Sequence, residues 1–123
     1  MWVVATTDEF DQWFKSLDDE AKVEIIAKVN LLGVMGPRLG RPHADTLKDS
    51  KHANLKELRA DTSRQVLRIA FALDPNRAAI LLLGGNKAGV NQRRFYRDLV
   101  AAADALFDRH LKAVREAKKK KEH

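Results

Sequence analysis

The chain has no cysteine, which excludes disulfides, thiolate-held zinc, iron–sulfur clusters and cysteine nucleophiles and fits an intracellular setting. It also lacks any apolar run near the about 18 residues that a membrane-spanning helix needs. The longest candidate runs only from Ala78 to Leu83. Met1 to Glu9 has no basic stretch and turns acidic, so no secretory signal is expected there, and the expectation is a soluble, cytoplasmic protein. His43, His52, His110 and His123 match no metal-ligand spacing, so no metal or other cofactor is expected. The stretch Gly84-Gly85-Asn86-Lys87-Ala88-Gly89 lacks the P-loop spacing and has no Ser or Thr after its lysine. That argues against nucleotide hydrolysis.

What remains is 123 residues, 45% hydrophobic and 33% charged, which is the size of one domain with one core. The net charge is +6 and the pI about 9.8, so a polyanionic partner is a fair expectation. The charge is unevenly placed: residues 1–30 carry seven acidic and three basic side chains, and the rest carry ten and twenty. Part of the downstream excess is the run Lys118 to Lys121. It reads as a solvated end, so the domain is set at residues 1–117 with a disordered basic tail at 118–123.

Trp2 to Thr6 reads as a short strand, with Thr7 or Asp8 able to cap the helix that follows. Phe10, Trp13, Phe14 and Leu17 fall on one helical face. Asp18 and Asp19 suit the start of a second helix, whose expected buried stripe is Ile25, Ile26, Val29 and Leu32. The glycines and prolines from Gly33 to Pro42 end the helical pattern. They open a long irregular segment, Gly36 to about Ser50, with Arg38 and Arg41 in it, which is a candidate binding edge.

Asn54 to Ala60 reads as a strand, and Gln65 to Asp74 as another with Leu67, Ile69, Phe71 and Leu73 on one face and Val66, Arg68, Ala70 and Ala72 on the other. A turn at Asp74 to Arg77 leads into an apolar strand, Ala79 to Leu83, which Gly84-Gly85 is expected to end through unusual backbone angles. Phe95, Leu99, Ala102, Ala103 and Leu106 mark a long last helix, extended by His110 and Ala113. The predicted order is β-α-α-β-β-β-α, an α+β layer.

Arg68 lies mid-strand, where a charge needs either a partner or an accessible cleft. It is read either as paired with Glu57 or Asp61, or as an anion clamp beside Arg59 and Lys56. Lys56 and Arg59 point to opposite faces of a regular strand, so both serve one site only with a bulge or at an edge. Lys87 leaves a central strand where a cation can meet a phosphate. His52 is a candidate general base. Arg93, Arg94 and Arg97 surround Phe95 and Tyr96 at the start of the last helix, a mixture of cations and rings that suits RNA.

Three segments together, His-Ala-Asn-Leu-Lys-Glu-Leu-Arg (52–59), Val-Leu-Arg-Ile-Ala-Phe-Ala-Leu-Asp-Pro-Asn-Arg (66–77) and Ala-Ile-Leu-Leu-Leu-Gly-Gly-Asn-Lys (79–87), resemble the phage Gp49-like, HigB-type branch of the RelE/ParE toxin superfamily. The resemblance spans roughly residues 2–115. It implies a small curved, mainly antiparallel sheet packed by two N-terminal helices and a long C-terminal helix.

It also implies the toxin of a type II toxin–antitoxin system. Such a toxin cleaves mRNA without a metal, typically on translating ribosomes, so that translation is inhibited, and a helix-turn-helix, HigA-like antitoxin neutralises it. That chemistry joins the RNA 2′-oxygen to the adjacent phosphorus and needs a base, an acid and cations. Arginine does not deprotonate in proteins, so the resemblance casts Arg59 and Arg68 as phosphate clamps. It carries Lys87 and Tyr96 into the site, with Tyr96 or His52 transferring the proton, while Lys56, Arg93, Arg94 and Arg97 complete the expected RNA-binding set. The C-terminal Asp-Tyr-His cluster of some relatives is missing. A ParE-like inhibitor of DNA gyrase and an inactive co-repressor that only binds its partner are the alternatives.

Overall fold

A computed structural model describes residues 1–122. The chain order is β1 (Val3–Thr6), α1 (Asp8–Lys15), α2 (Asp19–Met35), a single 3₁₀ turn (Gly36–Arg38), β2 (Ala44–Thr46), β3 (Leu55–Asp61), β4 (Val66–Leu73), β5 (Ala78–Asn86) and α3 (Gln92–Lys121). Each helix begins on a side-chain cap that satisfies an otherwise free N–H. Thr7 accepts from the Phe10 amide, Asp18 from that of Ala21 and Asn91 from that of Arg94.

The strands form one sheet in the order β1-β5-β4-β3-β2, parallel only where β1 meets β5. Strand alternation splits the core in two. On one face Leu58, Ala60, Leu67, Ile69, Phe71 and Leu81 pack against Phe10, Ile25 and Leu32 of α1 and α2. On the other, Leu55, Ala70, Ala72, Ile80 and Leu82 pack against Leu99, Val100, Ala103 and Phe107 of α3. Helices thus cover both faces, and α3 lies across the sheet from the β5 end back toward the β4–β5 turn.

The structure departs from the sequence reading in four places. The segment from Gly36 to Ser50 is not wholly irregular: β2 pairs antiparallel with β3 at the sheet edge, but three residues are too few to show a period. Ile26 is 51% exposed, because α2 turns only the Ile25, Val29 and Leu32 side toward the sheet. The segment from Lys118 extends α3 to Lys121 with its lysines exposed, and His123 lies outside the described residues.

The fourth concerns Gly84 and Gly85, which lie inside β5 instead of ending it, and neither has a positive φ. Their lack of a side chain admits aromatic rings. A Cβ at Gly84 would stand 2.2 Å from the Trp13 ring, and one at Gly85 would stand 2.9 Å from Phe95.

A register shift between Ala70 and Phe71 leaves one extra residue in β5, since Ala70 pairs with Leu83 but Phe71 pairs with Leu81. Such a bulge reverses the facing of everything beyond it. Leu82 and Leu83 both pack toward α3, Gly84 faces Trp13, Gly85 faces Phe95, and Lys87 follows on the α3 side. The described residues contain no helix long and apolar enough to cross a membrane.

Candidate functional site

On β3, Glu57 and Arg59 share the face of Leu55, which packs under α3, while Lys56 shares the opposite face with Leu58 and Ala60. Arg59 is directly opposite Arg68 of β4 in the ladder, which brings two guanidinium groups to one face of the sheet. Like charges facing each other in a sheet are unfavourable unless neutralised. Here the counter-ion is Glu57, a carboxylate only 4% exposed.

Its Oε2 accepts from Arg59 Nε at 3.3 Å and Nη2 at 3.1 Å, and its Oε1 lies 3.7 Å from Arg68 Nε. The Tyr96 hydroxyl, carried by the first turns of α3, donates to Oε1 at 2.8 Å. Lys87 Nζ in turn donates to the Tyr96 oxygen at 3.1 Å and lies 5.1 Å from the centre of its ring. Lys87, Tyr96 and Glu57 therefore form one chain of hydrogen bonds.

Arg68 is 7% exposed and turned inward, its Nη1 donating to Asp61 at 2.6 Å and to the Leu67 carbonyl at 2.9 Å. Both partners considered from the sequence, Glu57 and Asp61, are thus beside it, and its guanidinium is not free to clamp an external anion. Its Nε has no hydrogen-bond partner among the described residues. Arg59 keeps 29% of its side chain exposed and reaches outward to Asp45 at 3.4 Å. Asp45 is held below the ordinary carboxylate range by the hydrogen bond from Arg41, helped by the Thr46 amide and Arg59, which outweigh the opposing effect of partial desolvation.

Beside Tyr96 a groove of about 670 Å³ is lined by Lys48, Arg93, Arg97, Val100 and Asp104, among others. Arg93 and Arg97 are exposed along it, one helical turn apart. Arg94 projects into a separate shallow depression with Asn86, Phe95 and Asp98.

Two more expected site residues lie elsewhere. Lys56 extends over the opposite face, where its Nζ donates to the Pro37 carbonyl at 3.3 Å. No bulge in β3 brings it round, since the pairing with β4 is regular from Leu55 to Asp61. His52 donates from Nε2 to Asp108 at 2.8 Å and sets its ring against Phe107. Asp108 is twelve residues beyond Tyr96 on the same helix, about 18 Å along its axis at 1.5 Å per residue.

Glu57 is the functional candidate that sequence reasoning saw only as a partner for Arg68. Its signal was the alternation Leu55, Glu57, Arg59 against Lys56, Leu58, Ala60, which places a carboxylate and an arginine on one face.

The fold is that of the RelE toxins. The free E. coli toxin RelE in mutant form superposes with a TM-score of 0.59 over 81% of this chain and 94% of that one, at 8% identity. The archaeal RelE–RelB complex from Pyrococcus horikoshii gives 0.53 over 72% and 98%, at 13% identity. The model of the phage-derived protein Gp49-like family matches residues 12–108, and the chain belongs to that family.

Two Mycobacterium tuberculosis proteins that carry toxin names are similar to it. HigB3 is 46% identical over 97 residues, which is 78% of this chain and 82% of the relative. HigB2 is 39% identical over 118 residues, or 95% of this chain. The chain spans only 58% of the length of HigB2.

Proposed function

We propose that this protein is the toxin of a type II toxin–antitoxin pair and acts as a metal-independent mRNA endonuclease on translating ribosomes, neutralised by a helix-turn-helix antitoxin. The observation that carries this reading is the hydrogen-bonded chain Lys87–Tyr96–Glu57, edged by the outward guanidinium of Arg59 and opening onto a groove with Arg93 and Arg97.

Cleavage of RNA by its own 2′-hydroxyl needs a proton acceptor, a proton donor and positive charge around the phosphate. Tyr96 and Lys87 supply hydroxyl and ammonium groups in contact with each other. Arg59 is the clamp with a free side. Arg68 serves by fixing Glu57 from behind, and Arg93 and Arg97 meet the RNA backbone along the groove. The likeness to HigB2 and HigB3 supports the toxin assignment, and the RelB-bound RelE structure supports an antitoxin partner.

Induced expression of the chain alone should arrest growth and yield transcripts cut at discrete positions in primer extension. Co-expression of a helix-turn-helix protein encoded beside it should restore growth. Growth arrest with intact transcripts and inhibited DNA supercoiling would move the protein to the gyrase-inhibiting class.

A further inference from the structure

Tyr96 sits between two groups of opposite proton affinity: an ammonium that donates to its oxygen at 3.1 Å and a carboxylate that accepts from it at 2.8 Å. A tyrosine used alone as a base must first exist as phenolate, and its ordinary pKa of about 10 makes that rare at neutral pH. A hydroxyl already donating to a carboxylate has another route. We propose that Tyr96 and Glu57 work as one base, Tyr96 passing its own proton to Glu57 Oε1 as it receives the proton of the RNA 2′-hydroxyl, so that no phenolate accumulates. This rests on the ribonuclease reading above.

The 2′-oxygen forms a bond to the adjacent phosphorus while its proton moves to Tyr96 Oη and the Tyr96 proton moves to Glu57. The bond from phosphorus to the 5′-oxygen breaks, its electron pair stays on that oxygen, and Lys87 Nζ gives it a proton. The products are a 2′,3′-cyclic phosphate and a 5′-hydroxyl. Glu57 ends as the acid and Lys87 as the amine, and one proton returned through Tyr96 restores both.

The surroundings of Glu57 make the relay depend on substrate. Arg59 on β3 and Arg68 on β4 face its carboxylate, with Lys87 and Tyr96 beyond, so a guanidinium occupies Oε2 while Oε1 holds the Tyr96 hydroxyl. Of the two guanidinium groups that of Arg59, which contacts Glu57 at 3.1 and 3.3 Å, is the exposed one, and an arriving phosphate competes for it. As Arg59 turns to the phosphate, Glu57 gives up its two guanidinium hydrogen bonds at the moment a proton is to be taken. Arg68, held by Asp61 and the Leu67 carbonyl, stays behind and keeps the carboxylate aimed.

The test uses the full chain in two arms. The first is single-turnover cleavage of ribosome-bound mRNA by wild type, Glu57→Gln, Glu57→Asp and Tyr96→Phe. Glu57→Asp keeps the charge that the arginines require but withdraws the oxygen from Tyr96, and it stands in should Glu57→Gln fail to fold. Each variant should lose about 100-fold or more in maximal rate, within the usual range for proton transfer. The toxin concentration for half-maximal rate should stay within about threefold, because the groove arginines are untouched.

Combining Glu57→Gln with Tyr96→Phe should cost no more than one change alone, and the acidic limb of the rate–pH profile should vanish in Glu57→Gln. Additive losses, or a Glu57→Asp variant with near wild-type rate, overturn the relay. The second arm needs no RNA. Tyr96 is the chain's one tyrosine, so tyrosinate absorbance reports this hydroxyl alone. In Glu57→Gln that absorbance should develop at lower pH than in wild type, and an unmoved curve overturns the coupling. A wild-type protein that cuts no RNA but shows the absorbance shift removes the ribonuclease reading while leaving the Tyr96–Glu57 coupling standing.

Discussion

Helix α3 meets polar side chains of the sheet and its loops at two places, and the two differ in how their charges are matched. Near its middle, Asp108 receives His52 and Lys51, Asp104 receives the Ser50 hydroxyl at 2.5 Å and the Lys51 amide, and His110 donates to Asp74 at 3.0 Å. The carboxylates there are matched by donors from across the interface, which makes this region a clamp. At the N-terminal end, one buried carboxylate faces Arg59, Arg68 and Tyr96, with Lys87 behind and Arg93 and Arg97 outside. Asp61 and Asp45 also take Arg68 and Arg59, and Asp98 takes Arg97, yet Lys87 and Arg93 have no carboxylate partner among the described residues, and a buried Arg68 nitrogen is left over. A histidine beside an aspartate looks like catalytic equipment, but it is the unmatched end that can accept an anion.

Substitution separates the two ends most sharply in activity. Lys87→Ala should lower mRNA cleavage by about 1000-fold, the upper part of the range for a lost proton donor, and should abolish growth arrest. His52→Ala should leave the cleavage rate within about threefold of wild type while lowering the thermal midpoint. Comparable loss in both variants, measured on folded protein, would merge the two regions into one site.

Within the unmatched end, Arg68→Ala should act chiefly on stability. Removing one partner of a buried ion pair typically costs about 3 kcal/mol, since the other charge is left buried. Glu57 retains Arg59, so the variant should still fold, with a lower urea midpoint. Arg59→Ala strips both guanidinium hydrogen bonds from the buried Glu57 carboxylate, so it should lower stability by about 3 kcal/mol as well and, unlike Arg68→Ala, also weaken cleavage. If Arg68→Ala leaves the urea midpoint at its wild-type value, its buried pairing is not structural.

Much of this arrangement is visible in the chain and some of it is not. The alternation through Val66 to Leu73 shows which face Arg68 takes, and the stripe from Phe95 to Leu106 shows that α3 packs beneath Tyr96. The bulge in β5 has no residue signature, yet it alone turns Lys87 toward Tyr96. The glycines at 84 and 85 read as a strand end because their partners, Trp13 and Phe95, are distant in sequence or on the next element. Glu57 read as a mere partner for Arg68 because burial, which makes it a hub, arises only when α3 closes over the sheet. His52 stood close to the site in sequence, but β3 carries Arg59 away from it over some seven residues, about 23 Å if fully extended.

The glycine pair divides the same end of the sheet by face. Gly84→Ala drives a methyl into Trp13 on the α1 side and should cost about 2 kcal/mol of stability with cleavage per folded molecule retained. Gly85→Ala presses on Phe95, next to Tyr96, and should reduce cleavage as well as stability, by up to about 100-fold for a displacement near 1 Å. Equal rates in the two folded variants would show that the setting of α3 against Gly85 does not position Tyr96.

The smallest effect belongs to the clamp and depends on pH. Burial alone would raise the Asp74 carboxyl, but the hydrogen bond from His110 and those from the Ala78 and Asn76 amides outweigh it and hold it below its ordinary value. A depressed folded value means that the ionised carboxylate stabilises the fold at pH above the unfolded value of about 3.9, and that this contribution is lost as pH falls through the folded value. His110→Ala removes one of the depressing partners and should cost about 1 kcal/mol near pH 6. The gap between wild type and His110→Ala should then narrow as pH drops below about 4, where Asp74 protonates in both. Denaturant midpoints between pH 3 and pH 6 measure it. A gap that stays constant across that range would mean that His110 packs on Phe107 without charge coupling to Asp74, and that the clamp holds α3 by shape alone.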